Sequence, residues 1–563
     1  MRYLLLVLGH LFTSVSTSLG ARLVDFQVAQ PPPVPQDAAQ CTIQVLRRDF
    51  AFSFGMSEVV QFTPPTDCGP VGSWSAITLN FTVTSNGTQF DRLGIFTFQN
   101  VEIWRTSTPE PTRGDGIIWT YIKDVTRYTP LFAKPGTFIL QLDNLIQEGL
   151  DGVYSTVLHA TFYGSSSTAP VAKQADAIFP LSTLANDTGN DASVPPGFSL
   201  NLTLPQNAIE VYAELYASGN GEEEFWYSNA PNEFLGDLPD GVTLGQGPFR
   251  EVRLLIDGMV AGVVFPYAVL FTGAISPAAW RPITAYGAID LPTYFLDLTP
   301  FVPLLTDGQP HNFTIDVSSA EDNHAILQNW FVSGVLQVLV DSSSERTTGN
   351  ITFYSAELFA ESHAVADFEG DDAVITVIAN RQIHIEADIV SGSGVATHVV
   401  WSQDLEYENV QSYLANASIQ NIQQISSGTV RSAHNDNPVV TDVFSYPLVL
   451  NLTNNVFLVD HSYDRELLPA PFILGSTIHS HQVAGTTSAG STNNNTFSYS
   501  DTDGNTYGRQ VNASRNVITV NVESGNLAPA PSLLTPPASQ EVVTDNSFAP
   551  ARLPGGRRAL NST

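Results

Sequence analysis

The chain is 563 residues long, carries a formal net charge of −32 and has only two cysteines. A single core stops growing well below that length, so several domains are expected. So acidic a surface repels nucleic acid and anionic membranes and suits an acidic medium, and two cysteines leave stability mainly to hydrophobic cores.

Residues 1–21 combine Arg2, the apolar run Tyr3–Leu8 and small residues at Gly20 and Ala21. That is the layout of a secretory signal peptide, and it predicts an extracellular protein. No later stretch is apolar for long enough to span a bilayer, so no membrane association is expected. Residues 22–40 end in a proline-rich lead-in. Cys41 and Cys68 read as one disulfide in an oxidising compartment.

From Cys41 the chain reads as short strands. Ile77, Leu79, Phe81 and Val83 alternate with polar residues, as in a half-buried strand. Asn86-Gly87 predicts a tight hairpin before a strand opening at Phe90-Asp91-Arg92. Residues 41–170 make the first β-sandwich, closed by a Ser/Ala/Pro-rich link. Residues 190–345 make the second, in which Ile209–Tyr216 alternates and Asp257-Gly258 turns a hairpin between Val252–Ile256 and Val260–Val264. Residues 346–525 keep strand patterns between Ser/Asn/Gly-rich loops and read as a β-rich C-terminal region. Residues 526–563 read as a disordered tail. The fold class is all-β.

Eleven Asn-x-Ser/Thr sequons occur, at Asn80, Asn86, Asn186, Asn201, Asn312, Asn350, Asn416, Asn451, Asn494, Asn512 and Asn561. Behind a signal peptide they predict N-glycosylation. The sequence holds no nucleophile elbow, zinc-protease helix, phosphate loop or dinucleotide fingerprint, so no metal and no cofactor are expected. His479-Ser480-His481 lacks a third ligand for zinc, and Asp501–Asn505 has its glycine misplaced for a calcium loop.

What remains is carboxylates beside arginines and aromatics, the residue types that bind sugars and move protons. One cluster runs from Phe90-Asp91-Arg92 through Glu102, Trp104, Arg105 and Glu110 to Arg113-Gly114-Asp115. The other holds Glu222-Glu223-Glu224-Phe225-Trp226-Tyr227, Phe249-Arg250-Glu251 and Trp280-Arg281.

The blocks FDRLGIFTFQNVEIWRTSTPEPTRGDGIIWTYIKDVTRY and GPFREVRLLIDGMVAGVVFPYAVLFTGAISPAAWRPITAYGAIDLPTY, with LRRDFAFSFG and EEEFWYSN, resemble the peptide:N-glycosidase A family of plants and fungi across residues 40–345. The resemblance implies two tandem jelly-roll-like sandwiches and metal-independent hydrolysis of the bond between asparagine and the first N-acetylglucosamine. Its substrates would be N-glycopeptides or unfolded glycoproteins. In the related bacterial enzyme a Trp-Asp-Arg strand supplies the main aspartate, and here Phe90 replaces the tryptophan. The resemblance therefore makes Asp91 the catalytic base and Glu224 its looser partner, with Glu222 and Glu223 competing. Arg92, Glu223, Trp226, Arg250, Trp280 and Arg281 become candidate substrate contacts. A non-catalytic secreted carbohydrate-binding glycoprotein on the same fold is the alternative.

Overall fold

The computed structural model describes residues 22–453 and 456–529. The expected signal peptide, Asn561 and the tail beyond residue 529 lie outside the described residues. Among the described residues the α-helical pieces are two single turns, Thr129–Phe132 and Val302–Leu305. No helix is long and apolar enough to cross a membrane.

Two sheets form the first sandwich. One orders Leu23–Asp25, Ile117–Asp124, Trp74–Asn86, Val153–Gly164 and Gln40–Phe50; the other orders Glu58–Phe62, Gly136–Leu142, Leu93–Phe98 and Val101–Ser107. Between them lies an aromatic core in which Phe81, Phe96 and Trp104 stack or meet edge to face. The Cys41–Cys68 disulfide forms, with Cα atoms 5.8 Å apart. The lead-in is more than a tether: Leu23–Asp25 adds a parallel edge strand to Ile117–Trp119.

Asn86-Gly87 does not turn a hairpin. Trp74–Asn86 and Leu93–Phe98 belong to different sheets, so residues 87–92 cross from one sheet to the other and deliver Asp91 to the end of the sandwich. Asp257-Gly258 does turn one. Both residues have positive φ, 50° and 83°, as a two-residue hairpin requires, and Glu251–Ile256 pairs with Met259–Val264.

The second sandwich begins earlier than residue 190, because Ala177–Leu181 pairs with Trp330–Val340. That sheet continues through Ala208–Gly219 to Tyr294–Asp297. The facing sheet orders Phe198–Leu202, His311–Ser318, Glu251–Ile256 and Met259–Val264. Within Ala208–Gly219 nearly every residue is buried, including Glu214 and Tyr216 on the face that alternation alone would give to water. The first sandwich covers that face. Arg127 makes two bonds to Glu214, at 2.7 and 3.1 Å, and Tyr128 bonds both Glu214 and Tyr216. Buried charge at this boundary is thereby paired and hydrogen-bonded.

The C-terminal region is one antiparallel sheet of eleven strands from Thr348 to Ser524. Its strands alternate buried and open residues, and its buried face shares one continuous core with the second sandwich. Polar side chains reach across the seam. Gln403 bonds both the N–H and the C=O of Val263, capping the edge strand Met259–Val264. This region is thus an extension of the second sandwich rather than a separate body.

Candidate active site

Along Val101–Ser107, an edge strand of the first sandwich, all seven residues are buried: Val101, Ile103 and Trp104 in that sandwich's own core, and Arg105 against the second. Glu102 and Arg105 form an internal ion pair, with 2.7 and 2.8 Å bonds, and Ser333 donates to Glu102. Arg105 also reaches the Ser218 hydroxyl and the Phe331 carbonyl, at 2.8 and 2.7 Å. This contact sets the register between the sandwiches. Continuing past it, the strand of the first sandwich runs on to Thr108–Glu110 and that of the second, Ala208–Gly219, to Glu224. Both acidic clusters therefore lie toward the same end of the boundary.

At that end Asp91 precedes the strand Leu93–Phe98. Its neighbour is fixed on both sides: Arg92 N–H donates to the Thr108 hydroxyl and Thr108 N–H to the Arg92 carbonyl, each at 2.9 Å. The Arg92 guanidinium donates to Gln89 Oε1 at 2.7 Å, and the Tyr154 hydroxyl donates to the Phe90 carbonyl at 2.8 Å. The second sandwich supplies the opposite wall through the long connection between Met259–Val264 and Tyr294–Asp297. From it the Thr272 hydroxyl donates to the Thr108 carbonyl at 2.5 Å, and Gly273 N–H donates to Asp91 Oδ2 at 3.1 Å. Arg281 donates to the Glu110 carbonyl at 2.9 Å.

Two carboxyl groups meet here. A Cβ built on Gly273 would lie 2.5 Å from Glu110 Oε1 and 2.6 Å from Asp91 Oδ1. Those two oxygens are therefore no more than about 5 Å apart. Behind them Asp25, fully buried, faces Arg281; burial pushes its carboxyl up to about 7 against the pull of that arginine.

Glu110 is the residue the sequence reading left out of the site. It sits in the right block, but without the fold nothing ties it to Asp91 rather than to Arg113. Glu223 and Arg250 go the other way. Glu223 turns inward to a two-point ion pair with Arg250 at 2.6 and 2.7 Å, and accepts bonds from Trp330 Nε1 and Leu327 N–H. Both side chains are sealed from solvent. Burial pushes the Glu223 carboxyl up, but Arg250 and these donors outweigh it and hold it below its ordinary value. The pair cannot reach a substrate and is corrected here to scaffolding.

Trp226 and Trp280 are corrected as well. They are 3% and 1% exposed. Trp226 packs on Trp330, and Trp280 on Phe457 while its indole N–H donates to the Ala274 carbonyl. Neither offers a ring face to a sugar. Glu222 is exposed, and Glu224 is half-buried, its charge adding to the burial that raises the Tyr227 hydroxyl. Of the three glutamates, Glu224 keeps both access and a structured setting. Exposed rings occur elsewhere, at Phe52 and Phe54. Their loop is held by Gly55 N–H donating to Asp143, whose charge interacts with Arg92. His479 and His481 are each taken by an aspartate, Asp464 and Asp460.

Residues 30–357 match the family described as peptide N-acetyl-β-D-glucosaminyl asparaginase amidase A, and residues 374–448 match its C-terminal domain. The chain belongs to the amidase A family. Peptide-N4-(N-acetyl-β-glucosaminyl)asparagine amidase A of Prunus dulcis is 35% identical over 404 residues, 69% of each chain. A solved peptide-N(4)-(N-acetyl-β-D-glucosaminyl) asparagine amidase aligns over 54% of this chain and 97% of its own, with 14% identity and a TM-score of 0.35. The family match to residues 30–357 takes in Asp91, Glu110, Glu224, Gly273 and Arg281.

Proposed function

We infer that this chain is a peptide-N4-(N-acetyl-β-glucosaminyl)asparagine amidase. It hydrolyses the amide between an asparagine side chain and the innermost N-acetylglucosamine of N-glycopeptides. The observation that carries the site is the convergence of Asp91 and Glu110 beside Gly273, across the boundary of the two sandwiches.

Amide hydrolysis needs a base for the attacking water and a proton for the leaving nitrogen. Asp91 accepts a backbone N–H that orients its carboxyl, and it takes the proton from water. Glu110, the second carboxyl beside Gly273, takes the opposite task of supplying a proton to the nitrogen. Water oxygen joins the asparagine carbonyl carbon, the C–N bond breaks, and the products are aspartate in the peptide and a glycosylamine. Glu224, from the neighbouring sandwich, holds substrate hydroxyls; Arg281 holds the Glu110 backbone, and Arg92, bonded to Gln89, steadies the segment that carries Asp91. Phe52 and Phe54 offer the stacking faces that Trp226 and Trp280 do not.

Secretion is part of this reading. Each of the ten described sequon asparagines is at least partly exposed, and the disulfide fits an oxidising compartment. Unfolded glycoproteins are then the natural substrates, since a folded one shields its asparagine amides. Mass spectrometry of a treated glycopeptide tests the activity. Conversion of the glycosylated asparagine to aspartate supports it; recovery of bound, unconverted glycopeptide refutes it.

A further inference from the structure

The connection that closes the site from the second sandwich contains a glycine for which backbone conformation gives no reason. Gly273 is absent from the positive-φ glycines, so its backbone would accept an ordinary residue. It is buried, and its surroundings rather than its φ exclude a side chain. A Cβ there would come within 2.5 Å of Glu110 Oε1, 2.6 Å of Asp91 Oδ1 and 2.9 Å of Asp91 Cγ. All three lie inside the distance of about 3.5 Å at which non-bonded atoms rest. The same residue's N–H donates to the second oxygen of Asp91 at 3.1 Å.

These are two functions in one residue. The amide fixes the direction of the Asp91 carboxylate, and the bare Cα lets the Glu110 carboxyl close in beside it. Neither carboxylate could keep its place if any other residue stood there. The glycine belongs to one sandwich and both carboxyls to the other, so the contact also ties the site's geometry to the docking of the two sandwiches. Ser107 and Thr272, whose hydroxyls lie 3.1 Å apart, and the Thr272–Thr108 bond of 2.5 Å hold that docking one residue away.

We propose that Gly273 is a positioning residue of the amidase site, setting the separation and orientation of Asp91 and Glu110 through its missing side chain and its backbone N–H. This rests on the reading of Asp91 and Glu110 as the reacting carboxyls. A displacement of about 1 Å at a reacting group costs on the order of 100-fold in rate. Gly273→Ala should therefore lower kcat by about that factor. KM for the glycopeptide should change far less, because the substrate-holding groups elsewhere are untouched.

The experiment measures kcat and KM on a defined glycopeptide, with thermal melting, for wild type, Gly273→Ala, Glu110→Asp, Gly273→Ala/Glu110→Asp and Asp91→Asn. Shortening Glu110 by one methylene moves its own carboxyl and costs turnover by itself, but it withdraws the oxygen nearest the new methyl group. Adding Gly273→Ala should therefore cost several-fold less in kcat on the Glu110→Asp background than on wild type. If Gly273→Ala fails to fold, the double variant must melt cooperatively for the assignment to stand. Wild-type kcat in Gly273→Ala, a loss carried mainly in KM, or an equal loss on both backgrounds overturns the positioning role. Wild-type turnover in Asp91→Asn instead overturns the reading of the site beneath it.

Discussion

Two acidic clusters lie toward the same end of the boundary between the sandwiches, and in one dimension they look alike: carboxylates next to arginine, among aromatics. In space they are opposites. Glu223 receives two guanidinium bonds, an indole N–H and a backbone N–H, and is sealed from solvent. Asp91 and Glu110 bring their oxygens together from one sandwich, and the backbone N–H of Gly273 reaches Asp91 from the other. A carboxylate neutralised by buried partners has been given a structural task, whereas two that approach each other retain chemistry.

The sharpest way to break this contrast is to neutralise each carboxylate separately. Asp91→Asn should cut kcat by roughly 1,000-fold or more, and Glu110→Gln by about 100-fold, with melting temperatures close to wild type. Steady-state kinetics beside a thermal melt decides it; a large loss of melting temperature with turnover intact would place these residues in the scaffold. Glu223→Ala should do the reverse. It strands Arg250 without its counter-charge and should cost about 3–5 kcal/mol in urea unfolding, while any folded fraction keeps its KM.

A third kind of carboxylate sharpens the comparison through pH. Burial pushes Asp25 and Glu251 up to about 7 and Asp191 to about 6, each with an arginine pulling against it. A group raised in the folded state contributes stability that is complete below its unfolded pKa and lost as pH rises through the folded value. His434 adds to this: burial lowers it, but Asp297 and Glu210 raise it to about 9, so its contribution is lost between about 6.5 and 9. His461, held by burial down to about 4, opposes the trend, losing stability as pH falls from about 6.5. The sum favours mild acid. Melting temperature should be several degrees higher near pH 5.5 than near pH 8.5; equal values would show that these groups are better solvated than their burial implies.

The smallest expected effect concerns the aromatics. Phe54→Ala should raise KM for a glycopeptide by a few fold and leave kcat nearly unchanged, as the loss of one stacking face requires. No change in KM would remove that loop from the substrate path.

Much of this was legible in one dimension, but unevenly. Alternation and turn residues marked the strands, and Asp257-Gly258 turned its hairpin because two positive-φ positions admit few other pairs. Asn86-Gly87 misled, because the same residues that tighten a hairpin also suit a crossing between sheets. Sequence placed Asp91 by resemblance, but could not separate Glu223 from Glu224, adjacent residues of which only the first turns inward. It undervalued Glu110, whose partnership with Asp91 spans nineteen positions and is completed by Gly273 from the other sandwich. It promoted Trp226 and Trp280, since a large ring suits a core as well as a sugar.

The wide C-terminal sheet gives the molecule a dependence that its domain-like size conceals. The connection carrying Gly273 and Arg281 has little regular structure of its own. Side chains of that sheet hold it: Asn493 bonds the carbonyls of Ala279 and Ile283, and Gln482 bonds Thr284 and Tyr286. A chain cut short after residue 357 would keep every reacting group and lose the brace that stiffens one wall of its cleft. Natural variation in the distal strands can therefore retune turnover without touching the chemistry.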